Sequence, residues 1–293
     1  MFAIDVALCT YRRPGVAATL QSLAAQVLPT GVSMRVIVAD NDDEPSARER
    51  VLAAGAGLTL HYVHAPARNI SVARNACLEA ATAPAIAFLD DDEVAPPTWL
   101  RALLTTMEQT GAPIVLGPVR AQYGDDLPAW LKAADLHSTR PAIRRDGTID
   151  TGYSCNVLFR RDILNGLRFD PARGVTGGED DAFFSQLYRR GHRIAFAADA
   201  MLEEVVPPHR AQLRWLLRRA FRNGQTYASI RLAAGDWRIA LATRAGAKGA
   251  TCGAAAAANV WSGPRWRRAL VRGALHAGTV ARVLGKRDLR LYS

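Results

Sequence analysis

Three aspartates and a glutamate, Asp90-Asp91-Asp92-Glu93, follow the apolar run Ala85-Ile86-Ala87-Phe88-Leu89 directly. A run of that length and composition reads as a buried strand, so the acids are held at a rigid strand end. Side chains alternate along an extended backbone, so Asp90 and Asp92 are expected to face one side. Two carboxylates about 4 Å apart repel by about 4 kcal/mol at an effective dielectric of about 20, a cost that a divalent cation removes. Such oxygen ligands select Mg²⁺ or Mn²⁺, which commonly take one or two carboxylates together with substrate phosphates. A solvated acidic turn is the competing reading of the same residues.

A second acidic group, Gly177-Gly178-Glu179-Asp180-Asp181, stands where a loop enters an apolar-periodic helix reaching Arg190. Acids in a first turn complement the helix dipole. An ionised carboxylate there can also act as general base toward a hydroxyl, and the glycines let the backbone approach a substrate closely.

The elements that must position these groups alternate. Strands are expected at Ile4–Leu8, Met34–Ala39, Leu58–His64 and Ala85–Leu89, with helices at Val16–Gln26, Ser46–Ala54 and Ser71–Ala81, the last capped by Ser71. This alternation implies a parallel, doubly wound α/β sheet with ligands at the carboxyl ends of its strands. Thr10 to Arg13, Asp40 to Asp43 and Asp90 to Glu93 all fall there. A helix over Trp99–Gln109 and strands at Ile114–Val119, Asn156–Phe159 and Ile194–Ala197 follow, and Pro207-Pro208 mark a boundary.

At 293 residues and 49% hydrophobic, the chain can bury a full core. Its four cysteines are far apart, which fits a reducing compartment rather than a zinc site or disulfide framework. Asp5 interrupts the N-terminal apolar stretch and Arg12-Arg13-Pro14 follow it, so a buried strand is expected and not a signal peptide. No apolar run approaches the roughly 20 residues that a bilayer span requires. The net charge of +10 is uneven: residues 201–293 hold 17 Lys/Arg against 4 Asp/Glu, leaving −3 for residues 1–200. Such a basic tail calls for an anionic partner.

Five segments in this order resemble family 2 glycosyltransferases of the GT-A fold: Val6 to Arg13, Val36 to Asn41, Asn69 to Asn75, Phe88 to Glu93, and Gly178-Glu179-Asp180. The resemblance covers most of residues 3–230. It implies a Rossmann-like GT-A domain with a mostly parallel central sheet over 1–206, its nucleotide-binding half about 1–93 and its acceptor half about 94–206. Basic helices over 207–293 follow. By the same resemblance the activity is transfer of a sugar, with inversion, from a nucleotide-diphosphate donor, UDP being favoured, to a hydroxyl of a glycan or lipid-linked glycan. Thr10 and Arg12 would cradle the nucleotide, Asp40 would bond the base, and Arg74 would help hold the nucleotide. Asp92 would bind Mn²⁺ or Mg²⁺, with Asp90 and Asp91 toward the ribose and the metal's water shell, although three consecutive aspartates permit more than one register. Asp180 matches the catalytic base, Glu179 a supporting acid, and Asp181 is a rival for the base. Asn156 would lie near donor or acceptor, and Arg219 and Arg222 near the diphosphate.

Arg214, Arg218 and Arg222 recur every four residues opposite Leu213, Leu217 and Phe221, an amphipathic helix. Arg265-Trp266-Arg267-Arg268 with Leu270, Val271 and Leu275 suggest another, of the kind that lies in an anionic membrane interface, with Trp261 and Trp266 as anchors. Packing on the catalytic domain, or pairing in a dimer, is the alternative. The expected location is the cytoplasm, peripheral to the inner face of the membrane if the tail binds lipid. Two other classes compete. A sugar-phosphate nucleotidyltransferase would open on a glycine cluster, which Cys9 to Gly15 lacks. A nucleic-acid-binding protein would suit the basic tail but not the acidic clusters, so no nucleic acid is expected.

Overall fold

The computed structural model describes residues 1–289. Its first strands are β1 (Phe2–Thr10), β2 (Val32–Asp40), β3 (Leu60–His64) and β4 (Ala85–Leu89), separated by helices α1 (Val16–Ala24), α2 (Arg48–Ala54) and α3 (Ile70–Ala80). There follow β5 (Glu93–Val94), α4 (Trp99–Thr110), β6 (Ile114–Leu116), β7 (Val119–Gln122), α5 (Ala129–Ala134) and β8 (Asn156–Arg160). Then come α6 (Glu179–Arg189), β9 (Ile194–Phe196) and β10 (Leu202–Val205). Three long helices complete the order: α7 (Leu213–Ala233), α8 (Arg238–Ala258) and α9 (Gly263–Val283).

The main sheet has the order β3-β2-β1-β4-β8-β6-β9. The pairs β1/β2, β2/β3, β1/β4 and β6/β9 are parallel, whereas β8 runs antiparallel to both β4 and β6. The mostly parallel α/β sheet therefore forms as expected. Its strands are buried on both faces. Val6, Leu8, Ala85, Ala87 and Leu89 pack into one apolar cluster, while the alternate residues Ala7, Ile86 and Phe88 pack into another on the opposite side. The charge inside β1 is neutralised locally: Asp5 accepts from Arg35 Nε at 2.7 Å and from the Thr82 and Ala83 amides at 2.7 and 2.8 Å.

Local chemistry corrects the expected start of α3. Its cap is Asn69, whose Oδ1 accepts from Ser71 N at 3.0 Å and Val72 N at 3.4 Å. The Ser71 hydroxyl instead donates to the Asp170 carbonyl at 2.8 Å. The single strand expected at Ile114–Val119 is interrupted: β6 ends at Leu116 and β7 begins at Val119, and β7 belongs to a separate three-stranded sheet of order β5-β10-β7.

The chain divides into two compact units: residues 1–120, 138–174 and 179–204 form one, and 121–137, 175–178 and 205–293 the other. The sequence suggests a single boundary at 206, whereas 121–137 and 175–178 group with the C-terminal helices. In this second unit α7 and α9 approach closely through glycines. A Cβ added at Gly224 would fall 1.8 Å from the Leu275 carbonyl oxygen, and one at Gly278 would fall 1.9 Å from that of Phe221. The α7 stripe is only partly solvated: Arg214 and Arg218 are exposed, but Arg222 is half-buried beside Gly177. Among the described residues no helix is long and apolar enough to cross a membrane.

Gly278→Ala is expected to cost about 1–3 kcal/mol by overpacking α7 against α9, read as a lower urea midpoint. Gly253→Ala on α8, where an added Cβ meets nothing within 4 Å, is expected to leave stability unchanged or raise it by about 0.5–1 kcal/mol.

Candidate active site

Because β1 and β4 are adjacent and parallel, the loop after Thr10 and the acids after Leu89 emerge side by side. The acids do not continue the strand. Residues 90–93 form a turn in which Glu93 N donates to the Asp90 carbonyl at 3.3 Å and Asp90 N donates to Glu93 Oε2 at 2.7 Å. Glu93 is thus the buried clasp of the turn, and Thr19 Oγ1 holds its carbonyl at 2.8 Å. The expected alternation of Asp90 and Asp92 along an extended backbone is corrected, since the turn sends them to different partners. Asp92 takes the Arg13 guanidinium and Asp90 lies 3.9 Å from that of Arg74.

Arg13 escaped the sequence reading as a site residue. Its guanidinium hydrogen-bonds Asp92 and stands 3.6 Å from Asp91 Oδ1. The loop is seated by Gly15, where a Cβ would meet the Asp91 carbonyl oxygen at 3.2 Å. The available signal was its place: a basic residue in the loop following one strand, beside acids following its neighbour. Arg12 has a left-handed backbone, with φ 54°, and its Nε donates to Asp42 Oδ2 at 2.8 Å. That bond, with Ser46 Oγ, holds the Asp42 carboxyl well below the usual carboxylate range.

Asp40 is fully buried and accepts from Asp42 N at 3.1 Å, Ala47 N at 2.9 Å and Tyr62 Oη at 2.7 Å. These bonds organise the loop after β2, with Oδ1 taking a single donor. Asn156 is likewise taken up by the framework. It is wholly buried, its Oδ1 accepts from Trp99 Nε1 at 2.9 Å, and its Nδ2 donates to the Pro118 and Ala200 carbonyls at 2.8 and 2.7 Å. It is a framework residue of β8.

Arg74, on α3, is also buried. Its guanidinium pairs with Glu179 Oε1 and lies 5.5 Å from the centre of the Phe169 ring. Burial works against its charge, but Glu179, Asp180 and Asp90 more than offset that and keep it protonated. It is the internal counter-ion of the acids. Glu179 is raised above the usual range, first by burial and then by Asp180, with Arg74 pulling the other way.

Asp180, in the first turn of α6, is only partly buried, and its Oδ1 accepts from Asp181 N at 2.8 Å. Asp181 is tied elsewhere: Thr151 Oγ1 lies 3.1 Å from its carbonyl oxygen and 3.2 Å from its Oδ1. Asp180 is therefore the better placed of the two to meet a substrate. Arg219 and Arg222 belong to the second unit. The Arg219 guanidinium lies 5.4 Å from the centre of the Trp215 ring, and that of Arg222 fills the space where Gly177 would carry a Cβ.

Burial raises both Asp90 and Asp91, Asp91 to about 7, although nearly half of the Asp90 side chain (46%) meets solvent. Arg74 opposes the shift at Asp90 and Arg13 that at Asp91, where Thr10, buried at the end of β1, also favours the ionised form. Asp91 Oδ2 and Glu179 Oε2 are buried without a hydrogen-bond partner among the described residues. No group of three or more candidate ligands disposed to hold a metal ion occurs among those residues. An unsatisfied carboxylate oxygen beside Asp92 still fits a Mn²⁺ or Mg²⁺ ion, because such sites need only one or two carboxylates when substrate phosphates complete the shell.

Comparison with known proteins gives the setting. The sequence pattern of "Glycosyl transferase family 2" matches residues 5–168. The chain is 46% identical, over 99% of its length and 95% of the relative's, to "Succinoglycan biosynthesis protein ExoM" of Rhizobium meliloti. In fold it is similar to a mannosyltransferase from Pyrobaculum calidifontis in complex with GDP-Man and Mn²⁺ (TM-score 0.64, 21% identity, 97% of this chain and 88% of that one). It is also similar to S. aureus TarS in complex with UDP (TM-score 0.55, 16% identity, 98% and 92%).

Asp91 holds its proton to about 7 in the folded chain and to about 3.8 on unfolding, so its contribution to stability is full at low pH and is lost as pH rises from about 4 through about 7. Asp91→Asn should make the pH dependence in this range shallower, leaving the share of Asp90, Glu93 and Glu179, which burial also raises. Parallel urea titrations over this range, without divalent cation, check it.

Proposed function

We propose a donor, an acceptor class and a set of residue roles for this chain, which belongs to glycosyl transferase family 2 and is a glycosyltransferase. The donor is a nucleotide-diphosphate sugar. The acceptor is a hydroxyl of a glycan or lipid-linked glycan in bacterial surface polysaccharide assembly, and the succinoglycan role of the 46% identical relative supports that setting. The nucleotide is UDP by expectation, while the two solved structures, one with a GDP-sugar and one with UDP, give reason to test both. One observation carries the reading: Asp90 to Asp92, Arg13, Arg74, Glu179 and Asp180 form a single electrostatic cluster beyond the ends of β1 and β4. The carboxyl ends of adjacent parallel strands are where open α/β sheets bind nucleotides.

In this reading residues 1–93 hold the nucleotide, with Thr10 and Asp90 toward the ribose and Arg12 keeping the neighbouring loop in place. Asp92, with Asp91, would hold a divalent cation, which when bound supplies Lewis acidity to the leaving diphosphate. Arg13 then leaves Asp92 and offers its guanidinium to phosphate charge. Asp180 takes the proton of the acceptor hydroxyl as that oxygen attacks the anomeric carbon. The bond from that carbon to the diphosphate breaks in the same step and the configuration inverts. Glu179, clamped by Arg74, is a positioning residue that fixes the first turn of α6 and hence Asp180.

A thermal-shift panel of UDP- and GDP-sugars with Mn²⁺ or Mg²⁺ identifies the donor. Asp180→Asn should then bind that donor within about twofold of wild type and lose about 10²-fold or more in transfer. Near-normal turnover would remove Asp180 from the role. Asp92→Ala should abolish the Mn²⁺-dependent part of nucleotide affinity in calorimetry, and equal affinity with and without Mn²⁺ in wild type would overturn the ligand assignment.

A further inference from the structure

The roles assigned above make no use of the charge and exposed apolar surface that the chain carries from Trp237 onward. From Trp237 to Arg287 the chain has ten Lys/Arg and no Asp/Glu. In the same stretch large apolar side chains stand in solvent: Trp237 (69% exposed) and Ile239 at the start of α8, Val260 and Trp261 (82%) in the turn before α9, and Leu284 just after α9. Single exposed apolar residues are ordinary and occur along the rest of the chain, whereas five within one acid-free segment, two of them tryptophan, mark an interaction surface.

The helix geometry groups them. The Arg238 guanidinium donates to the Val283 carbonyl, so Trp237, Ile239 and Leu284 share one end of the α8/α9 pair. Val260 and Trp261 mark the other end of α8, which at 1.5 Å per residue is about 30 Å away. Between the ends, helical spacing places Ile239, Thr243, Ala247, Ala250, Ala254 and Ala257 on one side of α8. Of these all are exposed and none is charged, while Arg244 and Lys248 flank them.

We infer that this side of α8, with Trp237 and Trp261 at its ends, docks the chain onto the interface of an anionic lipid bilayer. The two indoles would enter the headgroup level, and the flanking Lys/Arg would meet lipid phosphates. Charge selects this occupant over a second copy, because two such faces would oppose like charges with no acid to compensate. Of the two expectations for the helix over 265–275, an interfacial helix or a packed one, α9 shows packing. Val271 of α9 packs with the apolar cluster holding Trp130 and Trp215, and the Arg267 guanidinium lies 4.6 Å from the Trp130 ring centre and 4.4 Å from that of Trp266. Gly278 abuts Phe221 of α7. The apolar side of α9 is spent inside the unit; α8 buries Leu241, Ala245 and Ala256 there as well, and leaves outside the uncharged side that runs from Ile239 to Ala257. The inference is independent of the donor and acceptor assigned above.

Co-sedimentation of the full chain with phosphatidylcholine vesicles, with and without about 30% phosphatidylglycerol, tests it. Wild type should bind the anionic vesicles and lose most of that binding at about 0.5 M salt. Trp237→Ser with Trp261→Ser should weaken binding about tenfold while leaving the unfolding midpoint unchanged, since binding scales with inserted apolar area. Arg244→Gln with Lys248→Gln should weaken it at low salt. Absence of wild-type binding to anionic vesicles, or unchanged binding by the tryptophan variant, would overturn the inference. A lipid-free dimer that the tryptophan variant abolishes in light scattering would do so too, by giving the face to a second copy.

Discussion

Arg74 is the charge on which the arrangement of the site depends. Several carboxylates cannot converge at the end of a buried strand without an internal cation, because desolvation and mutual repulsion would protonate them or push them apart. Arg74 sits on α3, pairs with Glu179 at the start of α6 and lies within ion-pair reach of Asp90 after β4. It thereby joins three elements distant in sequence. Arg13 does the same on the other side of the acidic turn, for Asp91 and Asp92. The two guanidiniums differ in exposure: Arg74 is sealed in, whereas the Arg13 side chain remains 39% exposed and can move.

That difference gives the site a fixed half and an adjustable half. On the fixed side, the Asn69 cap, the Asn75 bonds to the backbone of Phe169 and the stack of Phe169 on Phe183 at 4.1 Å hold α3 and α6 in register. On the adjustable side, Asp91 keeps one oxygen without a partner and Arg13 stands in the place of a counter-ion. A site that must accept and release a charged nucleotide requires both properties: rigid placement of the reacting groups and a charge balance that can be exchanged.

The second unit follows a different economy. Its helices pack through glycines and through arginine on indole, with Arg267 between Trp130 and Trp266 and Arg219 over Trp215, so part of its large positive charge is used internally. His137 contributes to the same cluster: it stacks on Trp215, and burial lowers its pKa to about 4, so it stays neutral at ordinary pH. The remaining basic residues on α8 have no acid in their own segment to answer them.

Most of the fold could be read from local signals. Periodicity located β1, β2, β4, α1, α3, α4 and α6 to within a few residues, because strands buried on both faces and helices with one apolar face leave plain patterns. The acidic runs at Asp90 and Glu179 were equally visible, since strand end and helix start are local facts. What each side chain does there was decided only by tertiary structure. Asp40 and Asn156 stand out in one dimension, but only folding brings Asp40 its two amides and Tyr62, and Asn156 its two carbonyls and Trp99. Asp180 and Asp181 are indistinguishable until Thr151, thirty residues away, claims the second. Arg13 becomes a partner of Asp92 only because β1 and β4 are neighbours, a pairing set by strand order. Composition marked the C-terminal helices as basic and amphipathic, but which surface stays outside depends on where α7 and α9 can approach, and that is set by Gly224 against the Leu275 carbonyl and Gly278 against that of Phe221.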